Sequence, residues 1–217
     1  MITISAFRWV PPFARGLVRD LRVRWALEEA GLPYEAWLIG PDDQKSERYR
    51  AMQPFGQVPA FEEDGLVLFE SGAILLHIAD RSEVLMPRDT RARTRVTAWM
   101  FAALNSIEPH VQNLTTIDFL HAEEDWAKQR RPAALKFAQA RLAALSNWLD
   151  GREYLEEGRF TVADLLMTTV LRIPRHADLI AETPTLEAYR LRCEGRPAFK
   201  KALAAQMADF SEKASAA

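Results

Sequence analysis

The sequence predicts a chain in two parts: an α/β unit over residues 1–82, a linker over 83–90, and an all-helical unit over 91–217. Two patterns carry that expectation. Up to Asp80 the hydrophobic spacing switches between strand and helix periods in the order βαβαββα, which is a complete small layer structure. After Pro87-Arg88-Asp89-Thr90 the strand signals stop and every periodic stretch is helical.

The elements follow in order. Ile2–Phe7 alternates and is rich in β-formers, so a strand is expected there. Leu17, Leu21 and Trp25 recur at helical spacing as far as Ala30, and Gly31 supplies the stop, giving a helix over 17–30. Tyr34–Ile39 is a second alternating strand, closed by the turn residues Gly40-Pro41-Asp42-Asp43. Gln44–Met52 reads as a short polar helix. Val58–Glu62 and Leu66–Phe69 form a hairpin about Glu63-Asp64-Gly65. Ser71 stands where it can cap a helix over 72–80. Further helices are expected over 91–105, 132–149, 162–172, 186–194 and 197–210, with a frayed tail at Ala214-Ser215-Ala216-Ala217.

Composition narrows the classes of function. Of 217 residues, 48% are hydrophobic and 27% charged, an ordinary globular mixture. A net charge of −2 gives no long-range pull toward nucleic acid or anionic lipid, and the basic residues alternate with acidic ones as solvated faces do. No apolar run approaches the ~20 residues that span a bilayer, and Met1–Phe7 lacks the apolar core of a signal peptide. Cys193 is the single cysteine, which excludes an internal disulfide and fits a reducing, cytoplasmic compartment. In a late helix it reads as a buried small apolar residue. His77, His110, His121 and His176 share no metal-ligand spacing, so no metal is expected.

The informative stretch is Gln53-Pro54-Phe55-Gly56-Gln57-Val58-Pro59-Ala60-Phe61, then Leu68-Phe69-Glu70-Ser71-Gly72-Ala73-Ile74. An X-Pro bond adopts cis at modest cost, and a fixed cis bond turns the preceding main chain outward as an edge to which an extended peptide can add. The plainer alternative is that Pro59 starts a strand. Glu70-Ser71 stands at a strand-to-helix junction. Unpaired N–H groups and the positive dipole end hold carboxylates there, although the pair also reads as a simple cap.

With Trp25-Ala26-Leu27-Glu28-Glu29-Ala30-Gly31-Leu32-Pro33-Tyr34, these residues resemble the glutathione transferase superfamily, in which a Pro-x-Gly-x-Val-Pro loop is followed, past a hairpin, by Glu-Ser at a helix start. Thr161-Val162-Ala163-Asp164 matches a second signature of that family: Thr161 caps a helix and Asp164 reaches back, a folding device without a catalytic role.

The resemblance implies a cytosolic, bacterial-type member: a thioredoxin-like domain that binds glutathione as co-substrate, a helical domain that shapes the pocket for a hydrophobic electrophile, and a two-fold homodimer. It implies that Val58-Pro59 is cis and that the cysteinyl backbone pairs with the Val58 N–H and C=O. Gln57 would reach the ligand backbone. The Ser71 hydroxyl and N–H would hold the γ-glutamyl carboxylate, and Glu70 its ammonium, directly or through a neighbour. Gln44, Lys45 and Arg48 are candidates for the glycyl carboxylate, each equally readable as a solvated helix face. Trp99-Met100-Phe101-Ala102-Ala103-Leu104-Asn105 looks like the pocket-lining helix, which puts Trp99 and Asn105 beside the second substrate.

One segment departs from the pattern. Family enzymes stabilise the thiolate with a Tyr, Ser or Cys just after the first strand, whereas residues 8–20 hold none of these and no Thr, in a loop longer than the pattern leads one to expect. A free thiol has a pKa of ~8.5, lowered by a donor or positive charge near sulfur, and the thiolate is the attacking species. Helix N-terminal N–H groups around Pro12–Arg15 aided by Arg15, the indole N–H of Trp9, a donor such as Asn105 or Ser106, and Ser5 all remain open; Arg15 and Trp9 lead. Two functions follow: a transferase that activates glutathione for conjugation, addition or isomerisation, or a transferase-like binding or regulatory module with little or no turnover. A thiol reductase or peroxidase lacks its first-helix cysteine, and no Cys-x-x-Cys marks a dithiol oxidoreductase.

Overall fold

The computed structural model describes residues 1–210, so the tail at 214–217 lies outside the described residues. The chain divides into two compact units, Met1–Leu85 with Arg196–Ala217, and Met86–Gly195.

The first unit is built on a four-stranded sheet of β1 (Ile2–Phe7), β2 (Tyr34–Ile39), β3 (Phe61–Glu63) and β4 (Leu66–Leu68), in the order β2-β1-β3-β4. β1 and β2 run parallel, from Ile2 opposite Tyr34 to Phe7 opposite Ile39, while β3 is antiparallel to both β1 and β4. With α1 (Asp20–Ala30), α2 (Pro41–Lys45), α3 (Glu47–Met52) and α4 (Ser71–Ala79), this is a thioredoxin-like arrangement.

Local chemistry explains where elements begin and end. Gly31 ends α1 at φ 66, and Leu32 N–H then closes on Leu27 C=O at 2.9 Å. The expected helix over 44–52 is instead two short ones. Ser46 at φ −63, ψ 145 ends α2, and its hydroxyl accepts from Tyr49 N–H to cap α3. α1 starts at Asp20 rather than Leu17, because Gly16 at φ 75 and the turn Leu17 N–H to Ala14 C=O hold the preceding residues out of the helix.

Every residue from Asp20 to Leu27 is buried, so α1 has no solvated side. Its charges must be paired inside. Arg24 donates from Nε to Asp20 Oδ2 at 2.8 Å and from Nη2 to Asp209 Oδ2 at 2.5 Å, and Gln206 Nε2 donates to Asp20 Oδ1 at 2.7 Å. Asp209 and Gln206 belong to α10 (Pro197–Asp209), whose Phe199 meets Trp25 edge to face at 4.8 Å. The last helix, expected with the helical half, therefore belongs to the first unit.

The second unit contains α5 (Thr90–Ala102), a π-helical segment Ala103–Ile107, α6 (Glu108–Leu120), α7 (Asp125–Leu149), α8 (Val162–Leu171), a 3₁₀ turn at Arg175–Ala177, and α9 (Pro184–Glu194). α8 is buried along its length and starts with the expected capping box. Asp164 accepts from Thr161 N–H and Leu155 N–H, both at 2.9 Å, and from Tyr189 Oη–H of α9 at 3.0 Å. Cys193 is buried in α9, as its sequence context implied.

Two helical stretches go beyond the sequence expectation. α6 carries Pro109 and the β-branched Val111, Thr115, Thr116 and Ile117, which lower its intrinsic propensity, yet Val111, Leu114, Thr115 and Ile117 are buried along one face. The sequence predicts a helix that starts at Pro132, whereas the residue sits inside α7, which begins at Asp125. Among the described residues no helix is long and apolar enough to cross a membrane.

The α1–α10 contact makes the fold sensitive to pH. Burial pushes the Asp20 carboxyl from 3.8 up to about 6, against the opposing pull of Arg24. A raised carboxyl contributes most to stability below its unfolded pKa and loses that contribution as pH rises through about 6. In urea unfolding, wild type should therefore lose roughly 2–3 kcal/mol relative to Asp20→Asn between pH 4 and pH 7. Parallel pH profiles for the two proteins would reject this account of the buried carboxyl.

Candidate functional site

The site residues of the first unit lie on two neighbouring turns, one after α3 and one between β4 and α4. The turn after α3 is stiffened from both sides. Gly56 N–H donates to Gln53 C=O at 2.9 Å, and Phe55 N–H to Gln53 Oε1 at 2.7 Å. Gly56 sits at φ 65, and a Cβ there would lie 2.8 Å from Arg50 Cζ and 3.0 Å from the Gln44 carbonyl oxygen, so only glycine fits. Gln44 Nε2 donates to Gly56 C=O at 2.7 Å, and Arg50 Nη1 to Pro54 C=O at 2.8 Å. The polar face of α2 and α3 thus braces the loop. Of the other candidates for the glycyl carboxylate, Arg48 lies over the Trp37 ring at 4.8 Å and Lys45 is exposed.

The Val58–Pro59 peptide bond is cis, as the resemblance implied. Ser5 and Tyr49 hold both its flanks. Tyr49 Oη–H donates to Gln57 C=O at 2.6 Å; with that proton committed, the Ser5 hydroxyl donates to the Tyr49 oxygen at 2.7 Å. Ser5 Oγ in turn accepts from Ala60 N–H at 2.7 Å, and Ser5 N–H donates to Ala60 C=O at 2.9 Å. The Val58 side chain packs with Ile39, Tyr49 and Ala60. Among the described residues no hydrogen bond takes up the Val58 N–H or C=O. The result is an anchored side chain with an unused stretch of main chain. The Gln57 side chain is exposed.

Phe55 and Phe69 meet edge to face at 6.3 Å, which brings this loop beside the second turn. There the expected cap shifts by one residue. Ser71 is the first residue of α4, and Glu70 occupies the cap position at φ 67, ψ 113. A non-glycine residue in such a conformation costs about 1–3 kcal/mol, a cost that clusters at ligand sites. The Glu70 side chain is exposed and caps nothing. The first bond of the helix runs from Ile74 N–H to Glu70 C=O at 3.0 Å, so the earlier N–H groups point out of the helix end.

Ser71 Oγ accepts from Arg22 Nη1 of α1 at 3.1 Å. Because the guanidinium only donates, the serine keeps its own proton to give to an anion. Arg22 is buried, 3% exposed, and brings its charge to the helix end already favourable to carboxylates. By sequence alone Arg22 counts among the basic residues that alternate with acidic ones as solvated faces do. The signal that distinguishes it is the unbroken burial of α1, which leaves no solvated face to occupy.

The structure removes two of the candidates for stabilising a thiolate. Ser5 is 2% exposed, and its hydroxyl both accepts and donates inside the network above. Residues 12–14 form one 3₁₀ turn rather than a helix start, with Ala14 N–H, Arg15 N–H and Leu17 N–H bonded to the carbonyls of Pro11, Pro12 and Ala14. Trp9 is 40% exposed and Arg15 half-buried in the same connection from β1 to α1. In the second unit, the Trp99 indole packs on Trp148 at 5.1 Å and donates to Glu156 Oε1 at 3.2 Å, while Asn105 is exposed on the π-helical segment. Among the described residues no group of His, Cys, Asp and Glu could hold a metal ion.

Tyr49→Phe deletes a donor to Gln57 and an acceptor for Ser5 in a buried network, and should lower the unfolding free energy by about 1–3 kcal/mol in urea titrations. A variant as stable as wild type would show that the phenol does not hold the loop.

Comparison with known proteins converges on one family. The family model described as "Glutathione S-transferase, N-terminal domain" matches residues 14–80, and "Glutathione S-transferase, C-terminal domain" matches residues 110–197. Glutathione S-transferase APIC from Nicotiana tabacum is 29% identical over 208 residues, covering 84% of this chain and 91% of the relative. A crystallised glutathione transferase family member from Pseudomonas fluorescens Pf-5, with two glutathione bound, superposes with a TM-score of 0.81 at 25% identity over 93% of this chain and 92% of the other. The yeast protein Ure2p in complex with glutathione shares the fold, with a TM-score of 0.82 at 19% identity over 94% and 92% of the two chains. Two matched domain models, full-length relatives and the thioredoxin-like and helical units together show that the chain belongs to the glutathione S-transferase superfamily.

Proposed function

We propose that this protein binds glutathione on its first unit and activates the thiol for attack on a hydrophobic electrophile. The observation that carries the reading is the unused main chain of Val58 beside an α4 N-terminus charged by Arg22. An extended cysteinyl residue adds to Val58 as a strand adds to an open edge, its N–H donating to Val58 C=O and its C=O accepting from Val58 N–H. The γ-glutamyl carboxylate accepts from the Ser71 hydroxyl and main-chain N–H, with Arg22 adding positive charge behind them. The exposed Glu70 carboxylate accepts from the γ-glutamyl ammonium, and the Gln57 amide meets the ligand backbone.

Chemistry then requires the sulfhydryl proton to pass to solvent and the thiolate sulfur to form a C–S bond to the electrophile. The leaving group, chloride from a chloronitrobenzene, departs with its bonding pair; in an addition, the π pair takes up a proton from solvent. Trp9 and Arg15 are the proposed stabilisers of the sulfur, one through its indole N–H and the other through its charge. Trp99 and Asn105 are proposed for the second substrate. Homodimer assembly in the cytoplasm completes the reading.

Calorimetric titration with glutathione tests the binding site. Ser71→Ala should weaken affinity about ten- to hundredfold, the loss expected for a donor to a carboxylate. Unchanged affinity in that variant would remove Ser71 from the site.

A second reading, a binding or regulatory module without turnover, draws support from the absence of any Tyr, Ser, Cys or Thr in residues 8–20 and from the burial of Ser5. The pH dependence of conjugation to a chloronitrobenzene separates the two. The transferase reading expects bound glutathione to ionise at least about one pH unit below the free thiol's ~8.5, with Arg15→Ala or Trp9→Phe moving it back up. Binding without an ionisation shift and without conjugation would favour the module.

A further inference from the structure

The Gln57 C=O and the Val58 N–H belong to one planar peptide group, and its two ends meet different surroundings. On the interior side, Tyr49 Oη–H donates to the Gln57 oxygen at 2.6 Å, shorter than the ~2.7–2.8 Å usual for a hydroxyl donor. On the other side, no group among the described residues takes up the Val58 N–H. The donor is itself reinforced. Tyr49 is fully buried, the Ser5 hydroxyl donates to its phenol oxygen at 2.7 Å, and Ala60 N–H donates to Ser5 Oγ at 2.7 Å. Three bonds thus point the same way, and the last ends on the carbonyl whose peptide partner is the unused N–H. Burial raises the phenol above its ordinary ionisation range, against the pull of the Ser5 bond, so at neutral pH the proton stays on oxygen and the donation persists.

We propose that Tyr49 is a positioning residue for glutathione that acts through the Gln57–Val58 peptide group: by donating to the carbonyl it makes the Val58 N–H a stronger donor to the cysteinyl C=O. Drawing electron density onto the carbonyl oxygen raises the double-bond character of the C–N bond and leaves the amide proton more positive. In a low-dielectric setting each bond of such a chain strengthens the next by roughly 10–30%. Ser5 acts one step further back, through Tyr49. This role rests on the glutathione reading above and adds to it a graded effect on affinity from a buried side chain behind the binding edge.

Replacing Tyr49 by mono-, di- and trifluorotyrosine in the whole protein separates a polarising phenol from a merely structural one. The series keeps the hydroxyl and nearly its size while making it a stronger donor. Calorimetry with glutathione, at a pH where every phenol remains protonated, should show affinity rising step by step, by about two- to threefold in all. The Val58 amide proton of the bound protein should move downfield in the same order. Tyr49→Phe, where it folds, should weaken glutathione about two- to twentyfold and move that resonance upfield. An affinity or a Val58 resonance that stays level across the fluorinated series overturns the proposal and leaves the glutathione site standing. Failure of glutathione to bind the wild-type protein removes the site itself, and the role of Tyr49 with it.

Discussion

The loop at Val58 depends on two buried hydroxyl groups, those of Ser5 and Tyr49. Ser5 reaches from the central strand and Tyr49 from α3, and between them they bond to the main chain on both flanks of the cis Val58–Pro59 bond. Each hydroxyl has one proton, so the chain of bonds runs in a single direction, from Ala60 N–H through Ser5 and Tyr49 to Gln57 C=O. In a buried setting such a chain is strong when complete and costly when one member is missing. It fixes the loop on the interior side and leaves the Val58 main chain on the other side unused. A ligand that adds there meets a surface whose ordering cost has already been met by folding, which favours affinity.

How much of this was legible in the sequence varies with the range of the interaction. β1 and β2, the Pro-x-Gly-x-Val-Pro loop and the Thr161–Asp164 capping box are local patterns, and their residues stand in the structure where those patterns put them. What stayed hidden needed knowledge of distant neighbours. Arg22 and Arg24 resemble a solvated face until α4 and α10 cover α1, with Arg22 bonded to Ser71 and Arg24 to Asp209. The helix Glu108–Leu120 runs against its own composition, since burial of one face outweighs the weak propensity of its β-branched residues. Pro132 carries a start signal in most sequences, and only packing on both sides of it continues the helix through α7.

The missing hydroxyl after β1 is a smaller obstacle to thiol activation than it looks. Lowering a thiol pKa by two units requires about 2.7 kcal/mol of preference for the thiolate, and one hydrogen bond to a charged group supplies about 1.5–3 kcal/mol. A single indole N–H or guanidinium is therefore enough in energy. Geometry decides instead, and Trp9 and Arg15 both lie in a connection whose main-chain N–H groups at Ala14, Arg15 and Leu17 are already spent on turns. The strained Glu70 belongs to the same economy, because a backbone cost of about 1–3 kcal/mol sets the direction of an exposed carboxylate that caps nothing.

The placement of α10 has a consequence for how the chain is made. Phe199 packs on Trp25, and Gln206 and Asp209 partner the charges of α1, so the first unit is closed by residues synthesised more than a hundred positions after its sheet. On the ribosome α1 must wait with a buried-type face, and with its Asp20–Arg24 pair still lacking Gln206 and Asp209, while the whole second unit emerges. Closure across such a sequence separation is slow. The nascent protein thus passes through a stage in which its sheet and loop exist but their helical backing does not, and that stage is where a chaperone would find it.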